Sequence, residues 1–487
     1  MNPNPPLLIL SPASPTAAYT QYIRQFVDVG VHFPFADDYA LPRGLPSDLA
    51  GIRCVVIDPA RREEFSQGPL AARLIEFERG GGHLFWPDPN TPTGGATGDL
   101  IVRHSVARII NTAGLPMGDP AMIARLQEVD DAFLVGACKG STADELGQYV
   151  RMRHYFPEPV GMWAMPTAIE AAEFFGEPAL ADPVWAHIAA YYPQCDHQPD
   201  RHGTQHFLDY AEKTGDRKPL EHLVAVCRAS NPWPRLWRKG DVFLNCDLHV
   251  PDGADADHPP EIVLRNAWVW PETNLWIGET YATVSRFTGE ARWLDRAVAH
   301  VLEAHRWLFE PKTALYWHVG RPGGPDLRSA PWARGDSHFL WGVRSMLNLM
   351  PEEHPKRRDL CGLLGDHLEG LLRVQGADGL WLNVLDASPS DSRPCSSASS
   401  QFVRIYARAY ARGWLRDERI PPMVERAWKG LKTKIWDGRF LAWCVGTSHG
   451  LNRQVYLSRP HDSMRCCRSA ILSAWMEIQK MRGVTKG

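Results

Sequence analysis

Apolar runs alternate with amphipathic stretches over the first hundred residues. The runs LLIL at residues 7–10 and CVVID at residues 54–58, and the segment GGGHLFWPD from Gly80, have the length of strands. Two intervening stretches carry apolar positions at helical spacing, residues 17–29 and 69–79. Strands that alternate with helices are typical of a parallel sheet with helices packed on it. The pattern predicts a small flavodoxin-like α/β domain over residues 1–98.

From about residue 142 onward the pattern is almost entirely helical, and one phrase recurs. It reads FFGEPALADPVWAHI from residue 174, KTGDRKPLEHLVAV from residue 213 and FTGEARWLDRAVAHV from residue 287. In each, an apolar-striped helix ends, a Gly-acidic link turns the chain and a second helix begins, which is the pattern of a helical hairpin. The predicted helices cover residues 142–153, 165–176, 180–192, 202–214, 217–229, 273–288, 291–306, 336–349, 355–373, 397–412, 419–432 and 462–481.

Twelve helices in six hairpins predict a closed ring of helices. The terminal repeats lack the polar outer face that caps an open solenoid. We therefore expect a mainly α fold, an (α/α)6 toroid over residues 142–487, joined to the α/β domain by a helical linker region at residues 99–141. In such a toroid the loops at one end of the inner helices surround a central cleft.

Charge and composition exclude several classes of function. The formal net charge is −3 and the basic residues are scattered, so the chain lacks the cationic stripe that binds a phosphate backbone, and we expect no nucleic-acid partner. The first residues lack a basic targeting region, and no segment approaches the roughly 20 apolar residues of a membrane span. We therefore expect a cytoplasmic protein with no membrane contact.

Neither a cofactor nor a metal is expected from the motifs. The ten cysteines form no CxxC pair, and no phosphate-binding glycine motif follows any predicted strand. Tryptophan is abundant instead: 19 residues, all but Trp86 at or after Trp163. Most of these indoles will be core residues, but indole faces also stack on sugar rings.

Five segments in the helical half resemble one enzyme family. They are DRHGTQHFLDYAEKTGD, WPETNLWIGETYATVSRFTGEARWLDRAV, ALYWHVG, WARGDSHFLWGVRSML and DGLWLNVLDASPSDSRPCSSASSQFVRIYA. Their order and context resemble the unsaturated rhamnogalacturonyl and glucuronyl hydrolases, which are α/α-toroid glycoside hydrolases. The resemblance covers about residues 142–482 and none of the first hundred. It implies hydration of the 4,5-unsaturated uronic acid at the non-reducing end of an oligosaccharide.

That reaction needs a carboxylic acid to protonate C4 of the vinyl ether, a water directed at C5 and donors for the uronic carboxylate. The resemblance places Asp200 on one of the family's two active-site aspartates, although Asp at a helix start is also a favoured N-cap. Counting back from Thr288 places Glu272 on the second, where the longer side chain is a departure from the family. Glu279, two turns further along, is the fallback.

Further residues are predicted to bind the sugar. His318 matches a family histidine, although a lone histidine is more often structural; Arg334 could hold a carboxylate or form an ion pair with Asp336. Asp336 and His338 stand where the family has an amide and an aromatic residue. The full set of predicted substrate-binding residues is His197, His202, Trp270, Trp276, His318, Trp332, Arg334, Asp336 and His338, with His206 also near the cleft mouth.

The segment at residues 239–261 lies between the two predicted catalytic carboxylates and includes Asp247, His249, Asp252, Asp255, Asp257 and His258. The carboxylate order of an EF-hand loop is absent, so a solvated insertion at the cleft rim is preferred over a cation site.

Three functions remain open from the sequence. The first is removal of an unsaturated uronyl residue from an oligosaccharide with a terminal uronic acid. The second keeps the toroid and uses Asp200 and Glu272 to hydrolyse saturated glucuronides. The third is a non-catalytic carbohydrate-binding or assembly protein, with the N-terminal domain forming a homo-oligomer.

Overall fold

The computed structural model divides into two compact units. The first contains Met1–Ser141, Lys429–Gly446 and Arg459–Met464, and the second contains Thr142–Trp428, Thr447–Ser458 and Arg465–Gly487. The structure describes residues 7–10, 49–50, 52–86, 164–191, 204–228, 236–245, 267–321, 324–327, 329–392, 394–432, 435–436, 439–440, 444–445, 453–458, 461–462 and 468–484.

Three short parallel strands lie in the first unit. They are β1 (Leu7–Leu10), β2 (Cys54–Ile57) and β3 (His83–Phe85), in that order across the sheet. The registers pair Leu7 with Cys54 and Cys54 with His83. Helices α1 (Arg62–Ser66) and α2 (Gly68–Arg79) connect β2 to β3.

The central strand β2 is buried on both faces, which explains its unbroken apolar sequence. Val55 and Ile57 pack in one cluster with Phe65 and Leu74 of the two helices. The predicted helix at residues 17–29 and the linker at residues 99–141 lie outside the described residues, so the flavodoxin-like domain as a whole stays a prediction.

The second unit is built from helices, and the mainly α prediction is confirmed. Eleven of the twelve predicted helices are present among the described residues, and the one at residues 142–153 lies outside them. The helices are α3 (Ala164–Phe175), α4 (Asp182–Tyr191), α5 (His206–Thr214), α6 (Lys218–Arg228), α7 (Pro271–Thr288), α8 (Ala291–Leu308), α9 (Ala333–Leu349), α10 (Arg357–Val374), α11 (Ser396–Ala411), α12 (Ile420–Lys432), α13 (Arg453–Ser458) and α14 (Arg468–Met481). The short α13 has no counterpart among the predicted helices.

Short antiparallel hairpins join some of the helices. Between α6 and α7 lies β4 (Leu236–Lys239) with β5 (Val242–Asn245); between α8 and α9 lie β6 (Phe309–Glu310) with β7 (Leu315–Tyr316), and β8 (Gly320–Arg321) with β9 (Gly324–Pro325). Near the C-terminus, β10 (Ile435–Trp436) pairs with β11 (Arg439–Phe440), and β12 (Cys444–Val445) with β13 (His461–Asp462).

The recurring Thr-Gly-acidic phrase has one structural explanation. Gly215 and Gly289 both adopt left-handed φ angles, 75° and 74°, at the ends of α5 and α7. The preceding Thr214 and Thr288 donate to carbonyls four residues earlier, at 2.7 and 2.8 Å. Each threonine oxygen also accepts the N–H of the following acidic residue. The repeat in the sequence is therefore a repeated helix stop.

Helices α3, α7, α9, α11 and α14 form an inner layer. They are buried along most of their length, and each packs on its neighbour in the order α7, α9, α11, α14, α3. The other long helices, such as α8 and α10, bury only one face. Glycines permit a close crossing of α7 and α9: a Cβ on Gly278 of α7 would lie 3.0 Å from the carbonyl oxygen of Gly342 on α9.

A buried ionic network joins four of these inner helices. Glu170 of α3 accepts from Arg344 of α9 at 3.0 Å and from Arg404 of α11 at 2.6 Å, while Ser473 of α14 donates to its other oxygen at 3.2 Å. Burial alone would raise the pKa of the Glu170 carboxyl, but the arginine guanidinium groups hold it well below its usual range.

Within the part of the chain that the structure describes, every helix is too short or too polar to span a lipid bilayer.

Candidate active site

A partly open carboxylate lies at the N-terminal end of α7. Val269 exchanges backbone hydrogen bonds of 2.8 and 3.0 Å with Gly320, which fixes the strand that leads into the helix. Pro271 then occupies the first turn, where its missing N–H is no loss. Glu272 follows, with 15% of its side chain exposed. An acidic residue in the first turn also interacts favourably with the helix dipole.

Two histidines from other elements hold the Glu272 carboxylate. His318, in the loop after β7, places Nε2 at 3.1 and 3.2 Å from the two carboxylate oxygens. His338, in the second turn of α9, places Nδ1 at 3.1 Å from Oε1. Residues 46 and 66 positions away along the chain therefore meet at one carboxylate.

The two imidazoles set the protonation state of this site. Burial alone would raise the pKa of Glu272, but electrostatic interactions and hydrogen bonds with His318 and His338 hold it well below its usual range. Burial lowers the pKa of His338, against the opposing effect of Glu272. At neutral pH the site therefore contains an ionised Glu272 beside a neutral His338.

Aromatic rings surround His318. Trp270 stacks parallel to it, with ring centroids 6.3 Å apart, and Trp332 meets it edge to face at 4.6 Å. The hydroxyl of Tyr456, on α13, lies 2.7 Å from His318 Nδ1. Trp276 is only half-buried on α7.

A polar chain fixes Trp332 and Arg334 at the start of α9. The Trp332 indole donates to the Asn383 side chain at 2.8 Å, and the Asn383 amide donates to the Tyr456 carbonyl at 3.2 Å. The Arg334 guanidinium lies 4.7 Å from the Trp332 ring centroid, a cation–π contact.

Asp336 lies away from this surface. Its carboxyl group is fully buried; it accepts from the Tyr316 backbone N–H at 3.1 Å and lies 2.9 Å from His367 Nε2. Burial raises the pKa of Asp336 in spite of His367. The structure therefore gives Asp336 a partner on α10, where the sequence suggested a sugar or Arg334.

The predicted residues on the N-terminal side of α5 are not placed. Asp200, His197 and His202 lie outside the described residues. His206 is buried, with Nδ1 at 2.8 Å from Asp209. The fallback carboxyl Glu279 is fully buried on α7, 3.5 Å from the Gln205 backbone N–H, and burial raises its pKa.

No metal cluster of three or more His, Cys, Asp or Glu side chains occurs among the residues that the structure describes. Of the predicted insertion at residues 239–261, only the part up to residue 245 is described, where it begins within the β4–β5 hairpin.

The sequence indicated neither Tyr456 nor Asn383 as part of the site. Tyr456 belongs to no motif, and Asn383 lies in the segment that begins DGLWLN but carries no distinguishing signal there. Each reaches a partner more than 50 residues away along the chain, His318 for Tyr456 and Trp332 for Asn383. Only their contacts in the folded structure show that these two residues belong to the site.

The chain matches one family model and two curated proteins. Residues 264–482 match the model of Glycosyl Hydrolase Family 88. A curated protein of Alteromonas sp. (strain LOR), named unsaturated 3S-rhamnoglycuronyl hydrolase, is 22% identical over 36% of this chain and 43% of its own length. A protein of the same name from Formosa agariphila is 23% identical over 39% of this chain and 53% of its own length. The match thus spans about half the length of these relatives.

Solved structures share the helical fold. A glycoside hydrolase from family 105 of C. acetobutylicum superposes with a TM-score of 0.57 at 16% identity, over 69% of this chain and 99% of the other. An unsaturated glucuronyl hydrolase specific for heparin superposes with a TM-score of 0.54 at 16% identity, over 73% of this chain and 99% of the other. At this identity the similarity shows a fold, the α/α toroid expected from the six hairpins.

Proposed function

We propose that the chain is a glycoside hydrolase of Glycosyl Hydrolase Family 88, whose model residues 264–482 match. Its substrate is an oligosaccharide with a terminal uronic acid, and it removes a 4,5-unsaturated uronyl residue from the non-reducing end. Both curated relatives carry names of unsaturated uronyl hydrolases, which supports this substrate class.

The observation that carries the proposal is the Glu272 carboxylate, which His318 and His338 hold. It is partly open to solvent, it stands at the N-terminal end of an inner helix, and two imidazoles keep it ionised. An ionised carboxylate accepts protons, so Glu272 serves as the general base for the water that attacks C5. Arg334 is proposed to supply a cation for the uronic acid, and the fully buried Trp332 packs against its guanidinium rather than facing the sugar.

The proton for C4 needs a separate acid in this scheme. We assign that role to Asp200, which precedes α5. Protonation of C4 and addition of water at C5 give a hemiketal at C5. Its ring opening leaves a ketone at C5 and a hemiacetal at C1, and collapse of that hemiacetal to an aldehyde breaks the glycosidic bond and releases the neighbouring sugar. His197 and His202 are proposed to bind the substrate near Asp200.

The ionised Glu272 also favours a second candidate, hydrolysis of saturated glucuronides. An ionised carboxylate can act there as nucleophile, or as base toward water, while Asp200 acts as the acid. The two candidates differ in their substrate: only the first consumes a conjugated double bond.

A panel of substrates separates the candidates. Purified protein is incubated with lyase-generated unsaturated disaccharides, including rhamnose-linked ones, and with saturated glucuronides in parallel. Loss of the ultraviolet absorbance of the double bond, together with sugar release, supports hydration. Sugar release from saturated glucuronides alone would replace it with the second candidate. Binding without turnover of either class would support a carbohydrate-binding protein.

The cytoplasmic location and a homo-oligomer formed through the N-terminal domain stay predictions.

A further inference from the structure

We propose that Tyr456 is a positioning residue that selects the tautomer of His318, so that the His318 Nε2–H points at Glu272. The proposal deepens the function proposed above and rests on it for its catalytic consequence, but its structural part can be tested without a substrate.

The direction of the hydrogen bonds follows from the chemistry of the three groups. The ionised Glu272 carboxylate can only accept, so the Nε2 atom of His318, at 3.1 Å, must carry the proton. In a ring that carries one proton the opposite atom, Nδ1, is then an acceptor. Its partner at 2.7 Å is the Tyr456 hydroxyl, which therefore donates. Burial raises the pKa of Tyr456, so the hydroxyl keeps its proton.

The Tyr456 hydroxyl is held in place from its own backbone. The Tyr456 carbonyl accepts from the Asn383 amide at 3.2 Å, and the Asn383 oxygen accepts from the Trp332 indole at 2.8 Å. The Tyr456 ring packs in one buried cluster with Trp332 and Val384. Helix α13 therefore contributes one rigid donor to a site otherwise built by α7, α9 and the loop after β7.

A second chain of the same composition occurs in the second unit with the opposite polarity. The Tyr406 hydroxyl donates to the Leu364 carbonyl at 3.0 Å, so its oxygen is left to accept from His367 Nδ1 at 3.2 Å. His367 Nε2 faces the fully buried Asp336 at 2.9 Å. His367 Nδ1 therefore faces a hydroxyl oxygen that accepts, whereas His318 Nδ1 faces a hydroxyl that donates. This second chain ends in the core and provides a matched comparison.

The chosen tautomer matters because the alternative would face Glu272 with a lone pair. A His318 ring protonated only at Nδ1 would repel the carboxylate and withdraw one of its two donors. Tyr456 prevents this by occupying Nδ1 with a hydroxyl proton. Catalysis by Glu272 as a base then begins from one defined arrangement.

The direct test is ¹⁵N NMR of the full-length protein labelled at histidine, comparing wild type with Tyr456→Phe and Tyr406→Phe. The His318 signals are assigned by their loss in His318→Gln. We expect wild-type His318 to show the Nε2–H pattern and Tyr456→Phe to show protonation at Nδ1 in a measurable fraction of molecules. Tyr406→Phe should leave His318 unchanged. An unchanged His318 pattern in a folded Tyr456→Phe protein would overturn the proposal.

Steady-state kinetics with a substrate that the protein hydrolyses test whether Tyr456 affects catalysis. Tyr456→Phe should lower kcat about tenfold, the size of effect usual for a residue that orients a site group, with KM nearly unchanged. Tyr406→Phe should keep wild-type kcat. Equal kcat in wild type and Tyr456→Phe would remove Tyr456 from catalysis. If no uronide is turned over at all, the proposed function fails, while the NMR result still decides the tautomer.

Discussion

A carboxylate that accepts two imidazole N–H groups differs chemically from one in water. Glu272 has lost part of its solvation, yet His318 and His338 supply donors that keep it charged. Its basicity is thereby tuned by two neighbours that can be changed separately. This is the feature on which the proposed mechanism depends at the scale of single residues.

His338 should control the acid side of the pH–activity profile. His338→Phe removes one donor, so the pKa of Glu272 should rise, and kcat/KM should be lost at a pH about one unit higher as the solution is acidified. His338→Asn, which can place an N–H near the position of Nδ1, should restore most of the difference. An unchanged acid side of the pH–activity profile in His338→Phe would show that His338 does not control it.

The sequence located part of the site and missed the rest for a physical reason. Glu272 and His318 were predicted from motifs, and the structure brings them into contact with each other and with His338. Asp336, next to Arg334 on the same helix, instead bonds to His367 in the core. Which face of a buried helix a polar residue occupies depends on its partners across the chain, and spacing along one segment does not contain them.

At the scale of elements, the helices are predictable because their signals are local. Apolar spacing and the Thr-Gly-acidic stop gave boundaries within a few residues for the eleven described helices. The larger errors are at helix starts: α5 begins at His206, later than predicted at 202, and residue 462, predicted to begin the last helix, lies in β13. Small hairpins such as β6–β7 are two residues per strand and have no periodicity to detect.

The helix stop at Gly289 should be sensitive to a side chain. Gly289→Ala forces a Cβ into a left-handed conformation and should lower the free energy of unfolding by about 1–2 kcal/mol. Gly362→Ala is the matched control, because that glycine lies within α10 with open space around it and alanine favours helix by up to about 1 kcal/mol. Thermal unfolding of both variants measures the difference. Equal shifts would contradict the assigned role of Gly289.

The buried network around Glu170 should stabilise the inner helices only as a complete set. Glu170→Ala leaves Arg344 and Arg404 without their shared carboxylate and should cost about 3–5 kcal/mol. Glu425→Gln, which breaks a surface pair with Arg482, should cost no more than about 1 kcal/mol. Chemical denaturation compares the two. A small effect of Glu170→Ala would mean that the arginines find other partners.

At the scale of the whole molecule, acidification should lower the free energy of unfolding, independently of any effect on activity. His300 of α8 is fully buried and accepts the Phe243 N–H at 3.1 Å, and burial lowers its pKa to about 3. The unfolded chain binds a proton to this residue below about pH 6.5, whereas the folded chain does not until about pH 3. Stability contributed by His300 is therefore complete above pH 6.5 and decreases as the pH falls toward 3.

The slope of stability against pH measures this contribution. Between about pH 6 and 4, His300 should account for a loss of about 1.4 kcal/mol per pH unit. His300→Asn keeps an acceptor for Phe243 but cannot titrate, so the variant should be less stable at pH 7 and show a flatter slope. An equally steep slope in the variant would assign the acid sensitivity to other groups.

The central claim is that Glu272, whose carboxylate is held by His318 and His338, acts as the general base in the hydration of an unsaturated uronyl end. The most direct test is the rate at which the absorbance of an unsaturated uronyl disaccharide disappears with wild type, Glu272→Gln and Glu290→Gln. The last is a control just beyond the C-terminal end of α7, where the Glu290 carboxylate pairs with Arg228. We predict that Glu272→Gln lowers kcat by about 100-fold or more, the usual contribution of a general base, and that Glu290→Gln matches wild type. Turnover by Glu272→Gln at the wild-type rate would contradict the account.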